Sequence, residues 1–113
     1  LKKMKKMGMI IGSHTHSHRY LSSLSFTQQK KEILKCNLFL QKRLKTQINH
    51  FAFPYGDPKS WNSSTLKVLN KLNMYIYSST DKIKKLNKKV VFRTNCCDLI
   101  HGKIFNFTRI KID

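Results

Sequence analysis

The chain has 113 residues, of which 40% are apolar, enough for a single domain with a modest core. That apolar content excludes an intrinsically disordered chain, and no apolar run approaches the roughly 20 residues needed to span a bilayer. With 23 lysines and arginines against 5 acidic residues, the formal net charge of +18 predicts attraction to polyanions. Because the excess is mostly lysine scattered along the chain, we expect no specific nucleic-acid binding.

The first eleven residues predict a helix followed by a strand. Residues 1–7 are good helix formers, and Gly8 stands where a C-capping glycine belongs. The apolar run Met9–Ile11 predicts a short buried strand, since it is shorter than the ~7–15 apolar residues of a signal peptide. The chain begins with Leu, so we expect a piece of a longer protein, with any signal or anchor before residue 1.

An amphipathic helix is predicted over residues 26–45. Ser25 and Gln28 have the spacing of a capping box. Apolar side chains recur at helical spacing, at Ile33, Cys36, Leu40 and Leu44. We interpret the lysines on the rest of the helix as a solvated face and Cys36 as a core residue.

The remaining elements alternate between strands and one helix. A strand is predicted at residues 48–53, closed by a Pro54-Tyr55-Gly56 turn, and a helix at residues 63–72 that ends before Asn73. Further strands are expected at residues 74–80 and at residues 105–113, and residues 90–95 are expected to form either a short strand or a connection. Alternation of helices and strands predicts an α/β fold with parallel strands, resembling the later part of a barrel.

Three histidines follow the first predicted strand directly. On a helical turn, the spacing of His14 and His18 would put two imidazoles on one face, as in metal-binding His-x-x-x-His pairs. An extended segment would instead place His14, His16 and His18 on one face. Either geometry allows two nitrogen ligands, and the alternative is a plain polar loop. A catalytic metal site would need a third ligand as well.

The sequence FAFPYG, residues 51–56, combines an apolar strand with a tight turn. Its simplest interpretation is a strand end. A functional interpretation is that a backbone N–H of the turn faces a site and stabilises an oxyanion.

Together these motifs resemble the polysaccharide deacetylase family, that is, the NodB-homology domains of carbohydrate esterase family 4. The family's histidine motif is matched by residues 14–18, and its Phe-x-[Tyr/Phe]-Pro-Tyr-Gly motif by residues 51–56. The helix and strand after that motif match residues 63–80, and Thr108-Arg109-Ile110 looks like the Pro-Arg-Ile ending of one subgroup. The resemblance covers nearly the whole chain, so residues 1–113 are expected to form one partial domain.

The resemblance implies a partial, irregular (β/α) barrel of the NodB type that lacks its first strands. It implies a metal-dependent hydrolase that removes N- or O-acetyl groups from a polysaccharide built on N-acetylglucosamine, outside the cell or in its envelope. The divalent metal, zinc, would be held by His14 and His18, with His16 as a spacer. The Tyr55 amide would contribute to the oxyanion hole, and His101 would be the catalytic acid. The implied substrate-binding residues are Phe53, Pro54, Tyr55 and Gly56.

The sequence departs from the family at its acidic residues. The strand ending in Asp-Asp, which supplies the base and the third metal ligand, is absent, and none of the five carboxylates stands in a matching motif. We therefore expect this chain to be inactive alone. A non-catalytic carbohydrate-binding member and a basic nucleic-acid-binding module remain as alternatives. The adjacent Cys96 and Cys97 lack the spacing of a zinc site and receive no role.

Overall fold

The computed structural model describes residues 1–79 and 89–92. The elements of these residues, in chain order, are α1 (Lys2–Lys6), a 3-10 turn (Leu21–Ser23), α2 (Phe26–Leu44), β1 (His50–Ala52), α3 (Ser63–Lys71), β2 (Tyr75–Ser78) and β3 (Val90–Phe92). Predictions for the final strand, for His101, for Cys96 and Cys97 and for the ending at residues 108–110 lie outside the described residues.

The three strands form a parallel sheet in the order β1-β2-β3. A fourth segment joins its edge through a parallel bridge between Ser13 and Phe51. There the Ser13 amide donates to the His50 carbonyl at 2.7 Å, and the Ala52 amide donates to Ser13 at 3.0 Å. The predicted parallel α/β arrangement is confirmed, and the histidine segment begins at the carboxyl edge of this sheet.

The predicted strand at Met9–Ile11 is wrong. Ile10 is 72% exposed, and pairing with the sheet begins only at Ser13. The reason lies in the end of α1, where Gly8 has φ 85°, the Gly8 amide donates to Lys5 and the Met9 amide donates to Met4. This is a Schellman termination, which uses the Met9 amide to finish the helix instead of extending the sheet.

Helix α2 begins at the predicted capping box, with the Ser25 hydroxyl and the Gln28 side chain exchanging hydrogen bonds with each other's amides. Its buried face is the predicted one, with Cys36 packed at the margin of the core. That face also contains Gln29, whose side chain donates to Leu24 O at 3.0 Å and accepts from Thr65 Oγ1 at 2.6 Å. With 19 residues α2 is the longest described helix, yet like the others in the described ranges it is too polar to cross a membrane.

Helix α3 starts at an Asn62 capping box and ends where the sequence predicted. The Asn62 side chain accepts from the amides of Ser64 and Thr65, and Thr65 donates to Gln29, so one network joins α3 to α2. Asn73 adopts φ 55°, the left-handed conformation expected of it after the last turn.

The core lies between the sheet and helices α2 and α3. Phe51 and Phe53 lie at its centre with no exposed surface, and their rings meet edge to face at 5.5 Å. The remaining buried apolar side chains are Leu21, Leu24, Ile33, Leu40, Leu44, Ile48, Leu66, Val68, Leu69, Met74 and Ile76. Because β1 passes through this core and ends at the turn of residues 54–56, packing fixes the position of that turn.

Candidate metal and catalytic site

The histidine segment folds as a tight turn beyond the sheet edge. Thr15 and His18 adopt φ 68° and 56°, values uncommon for residues other than glycine. The buried Thr15 hydroxyl stabilises the turn by accepting from the His18 amide at 3.1 Å. As a result the rings of His14 and His18 lie 4.8 Å apart, centroid to centroid. The turn therefore brings these two histidines together, although it is neither the helical turn nor the extended segment considered from the sequence.

His14 is held in one orientation by the backbone of β1. Its Nδ1 lies 2.8 Å from the carbonyl oxygen of Ala52. A carbonyl can only accept, so Nδ1 carries a proton, and in the neutral ring Nε2 is then the nitrogen with the lone pair. Metal-binding histidines are commonly oriented in this way, with one ring nitrogen bonded to a carbonyl and the other turned to the ion. The exposed His14 ring thus has the tautomer that a cation requires.

Glu32 of α2 holds the same turn from the other side. Its carboxylate accepts from the Ser17 amide at 2.8 Å and from the Ser17 hydroxyl at 2.9 Å. Burial alone would raise the pKa of the Glu32 carboxyl, but the hydrogen bonds from Ser17 and from the His16 amide outweigh it and lower the pKa. The ionised form of Glu32 is therefore the one that stabilises the turn.

We expect Glu32→Gln to lower the free energy of unfolding at pH 7 by about 1–2 kcal/mol, because Ser17 donates to both carboxylate oxygens and the amide replaces one of them with an NH2 donor. Since the folded-state pKa is lowered, this contribution is complete above the ordinary glutamate pKa of about 4.3. It is lost as the pH falls through the lower folded value. Urea unfolding of both proteins from pH 7 downwards should show the difference shrinking in acid, and a constant difference would contradict this role.

The Pro-Tyr-Gly turn uses two consecutive residues with positive φ. Tyr55 has φ 66° and Gly56 φ 79°, and the Gly56 amide closes the turn by donating to the Pro54 carbonyl at 2.8 Å. The Ser79 hydroxyl, which follows β2, donates to the Gly56 carbonyl. Of the four predicted substrate-binding residues, only Tyr55 has an exposed side chain, at 55%, while the other three are buried.

Aromatic contacts join this turn to the histidines. The Tyr55 ring lies 4.9 Å from the His18 ring and stacks on Tyr20 at 4.2 Å, centroid to centroid. The Tyr20 hydroxyl donates to Asp57 at 3.1 Å, and this bond to a carboxylate raises the pKa of Tyr20. This bond joins Tyr20, just after the histidine motif, to Asp57, just after the Pro-Tyr-Gly turn and 37 residues further along the chain. The two motifs therefore form one surface.

The described part of the site brings together two candidate metal ligands, His14 and His18. Within residues 1–79 and 89–92, no group of three His, Cys, Asp or Glu side chains converges on one point. His16 lies apart from the pair and interacts with Glu32. Sequence reasoning missed Tyr20, Glu32 and Asp57 as supporting residues, although Glu32 could have been noticed as the lone acid in a lysine-rich helix.

The fold and site together define a parallel α/β protein with a histidine pair and a Pro-Tyr-Gly turn at the carboxyl edge of its sheet. The sequence profile of the polysaccharide deacetylase family matches residues 1–77, which is more than half of the chain. The chain belongs to this family. No curated protein matches it.

Solved structures of carbohydrate esterase family 4 have the same fold. IcaB from Ammonifex degensii is 19% identical, with a TM-score of 0.64 over 82% of this chain and 44% of its own. A family 4 carbohydrate esterase from Streptomyces lividans, solved with acetate, is 20% identical, with a TM-score of 0.60 over 66% of this chain and 38% of its own. A family 4 pseudoenzyme from Bacillus anthracis is 18% identical, with a TM-score of 0.62 over 68% and 26%. The chain thus spans less than half of each solved chain and forms part of their (β/α) barrel.

Proposed function

We propose that this chain supplies the histidine side of a zinc-dependent site that removes acetyl groups from a polysaccharide. The observation that supports this best is the His14–His18 pair, with rings 4.8 Å apart and His14 Nδ1 bonded to the Ala52 carbonyl. A pair of neutral imidazoles with a third ligand and an open position is the usual donor set of catalytic zinc.

In this proposal the described residues bind the ion, support the turn that carries the histidines, and stabilise the oxyanion. When bound, zinc supplies the Lewis acidity that lowers the pKa of water to about 7. His14 and His18 hold the ion, and the Ala52 carbonyl and the Thr15 hydroxyl hold their turn in place. The Tyr55 amide, which donates to no acceptor in residues 1–79 and 89–92, is available to stabilise the oxyanion that forms on the acetyl carbonyl.

The carboxylate ligand and the general base would come from outside the described residues, and His101 is the candidate for the general acid. Within the described residues, the nearby carboxylates Glu32 and Asp57 are already bonded to Ser17 and Tyr20. The proposed substrate is a polymer of N-acetylglucosamine type, which would place the protein outside the cell or in its envelope.

Acetate release from N-acetylglucosamine oligosaccharides tests this function. We expect the protein that contains this chain to release acetate with zinc present, and to lose that activity with a chelator or in His14→Ala/His18→Ala. Activity that survives both treatments would contradict the proposal.

The second candidate is a non-catalytic carbohydrate-binding member, favoured by the lack of a third converging ligand in the described ranges. It predicts oligosaccharide binding with no acetate release at any zinc concentration. Binding that is instead confined to arbitrary DNA or RNA, and falls steeply with salt, would favour the nucleic-acid alternative.

A further inference from the structure

The outward face of α2 carries two large apolar side chains that the core does not use. Leu38 is 61% exposed and Phe39 is 63% exposed, while Ile33, Leu40 and Leu44 of the same helix are buried. Single exposed apolar residues are ordinary on protein surfaces. Two adjacent ones on the outward side of a long helix form a patch, which we call the Leu38–Phe39 patch.

Basic residues surround the patch at the spacings of helix neighbours. Lys35 is three residues before Leu38 and four before Phe39, and Lys42 is four after Leu38 and three after Phe39. The side chains that flank the patch are all exposed, namely Lys31, Lys35, Lys42 and Arg43. The single acid of α2, Glu32, has its carboxylate bonded to Ser17. Glu32 offsets one of these four positive charges, so the face combines apolar side chains with a net excess of positive charge.

Helix α1 lies at the carboxyl end of α2 and carries further basic residues. Its Lys5 ammonium donates to the Leu44 carbonyl at 3.1 Å, which ties the two helices together. The rest of α1 is exposed and alternates between lysines and methionines, at Lys2, Lys3, Met4, Lys6 and Met7.

We propose that the outward face of α2, together with α1, docks this protein onto a bilayer that contains acidic phospholipid. Charge complementarity explains the lysines, since each basic residue near such a surface is attracted to it. The Leu38–Phe39 patch selects a bilayer over a soluble polyanion, because a polyanion would leave both side chains in water. On a membrane they enter the boundary between headgroups and acyl chains while the helix lies in the interface plane.

Sedimentation with lipid vesicles tests this docking. The wild-type chain should pellet with vesicles of phosphatidylcholine mixed with phosphatidylglycerol and stay in solution with phosphatidylcholine alone. Leu38→Ala/Phe39→Ala should weaken binding about tenfold or more. Phe26→Ala, which removes an exposed ring at the other end of α2, should leave binding unchanged.

The charges are tested with two triple variants of equal net charge. Lys35→Gln/Lys42→Gln/Arg43→Gln should weaken binding by about fivefold for each charge removed. The matched variant Lys59→Gln/Lys67→Gln/Lys71→Gln removes three exposed lysines that are not part of α2 or α1 and should bind almost as the wild type does. Circular dichroism would check that all variants fold. Equal losses in both triple variants, or unchanged binding after loss of the apolar pair, would overturn the proposal and leave only general charge attraction.

Discussion

Replacing His14 and His18 together with alanine is expected to weaken zinc binding by about 100-fold or more, because both imidazole ligands are lost. Replacing either histidine alone should cause a large part of this loss of zinc affinity, since the remaining histidine cannot hold the ion with the same geometry. Titration of the chain against a competing chromophoric chelator would measure the affinities directly. This readout does not depend on turnover, so it applies even if the chain alone is inactive.

His16→Ala is the matched control for this prediction. It removes an exposed imidazole from the same turn, whereas the ring pair at 4.8 Å is formed by His14 and His18 and His16 interacts with Glu32. Zinc affinity should therefore stay close to the wild-type value. Equal affinity of the double variant and the wild type would refute the assignment. An equal loss in His16→Ala would show that any histidine of the segment binds zinc and that the turn has no special role.

The sequence was most informative where short-range rules decide structure. The Ser25–Gln28 capping box located the start of α2, and Asn73 located the end of α3, because caps depend on residues three or four positions apart. The apolar spacing in α2 predicted its buried face for the same reason. These features are local, and the structure confirms them.

The site was predictable only in part, because its geometry depends on contacts between distant residues. The spacing of His14 and His18 left a helical turn and an extended segment open, whereas the segment forms a turn with two left-handed residues and a Thr15 hydroxyl bond. The bonds of Glu32 to Ser17 and of Tyr20 to Asp57 join residues 15 and 37 positions apart. The spacing of apolar residues along the chain carries no information about such distant pairs, so these two hydrogen-bonded contacts could not be derived from the sequence pattern.

The largest stability effect is expected at Phe53, the last core residue before the Pro-Tyr-Gly turn. Its ring meets Phe51 edge to face at 5.5 Å and stacks on Trp61 at 5.5 Å, with no exposed surface. Phe53→Ala leaves a cavity among these rings and should lower the free energy of unfolding by about 3–5 kcal/mol. Because a domain is stable by only about 5–15 kcal/mol, this is a large fraction of the total, measurable by urea unfolding.

Phe26→Ala provides the comparison, because the Phe26 side chain is about half exposed and is not among the buried core residues. It should change the free energy of unfolding by less than about 1 kcal/mol. A similarly small effect of Phe53→Ala would mean that the core does not hold the turn in place. The resemblance to the deacetylases assigned Phe53 to substrate binding, which stays a prediction; because its ring has no exposed surface, we expect its position to be a supporting one before the turn. If that position is correct, Phe53→Leu, which keeps most of the apolar volume, should preserve zinc affinity in the folded protein. Substrate contact through the Phe53 ring would instead weaken oligosaccharide binding in Phe53→Leu while stability changed little.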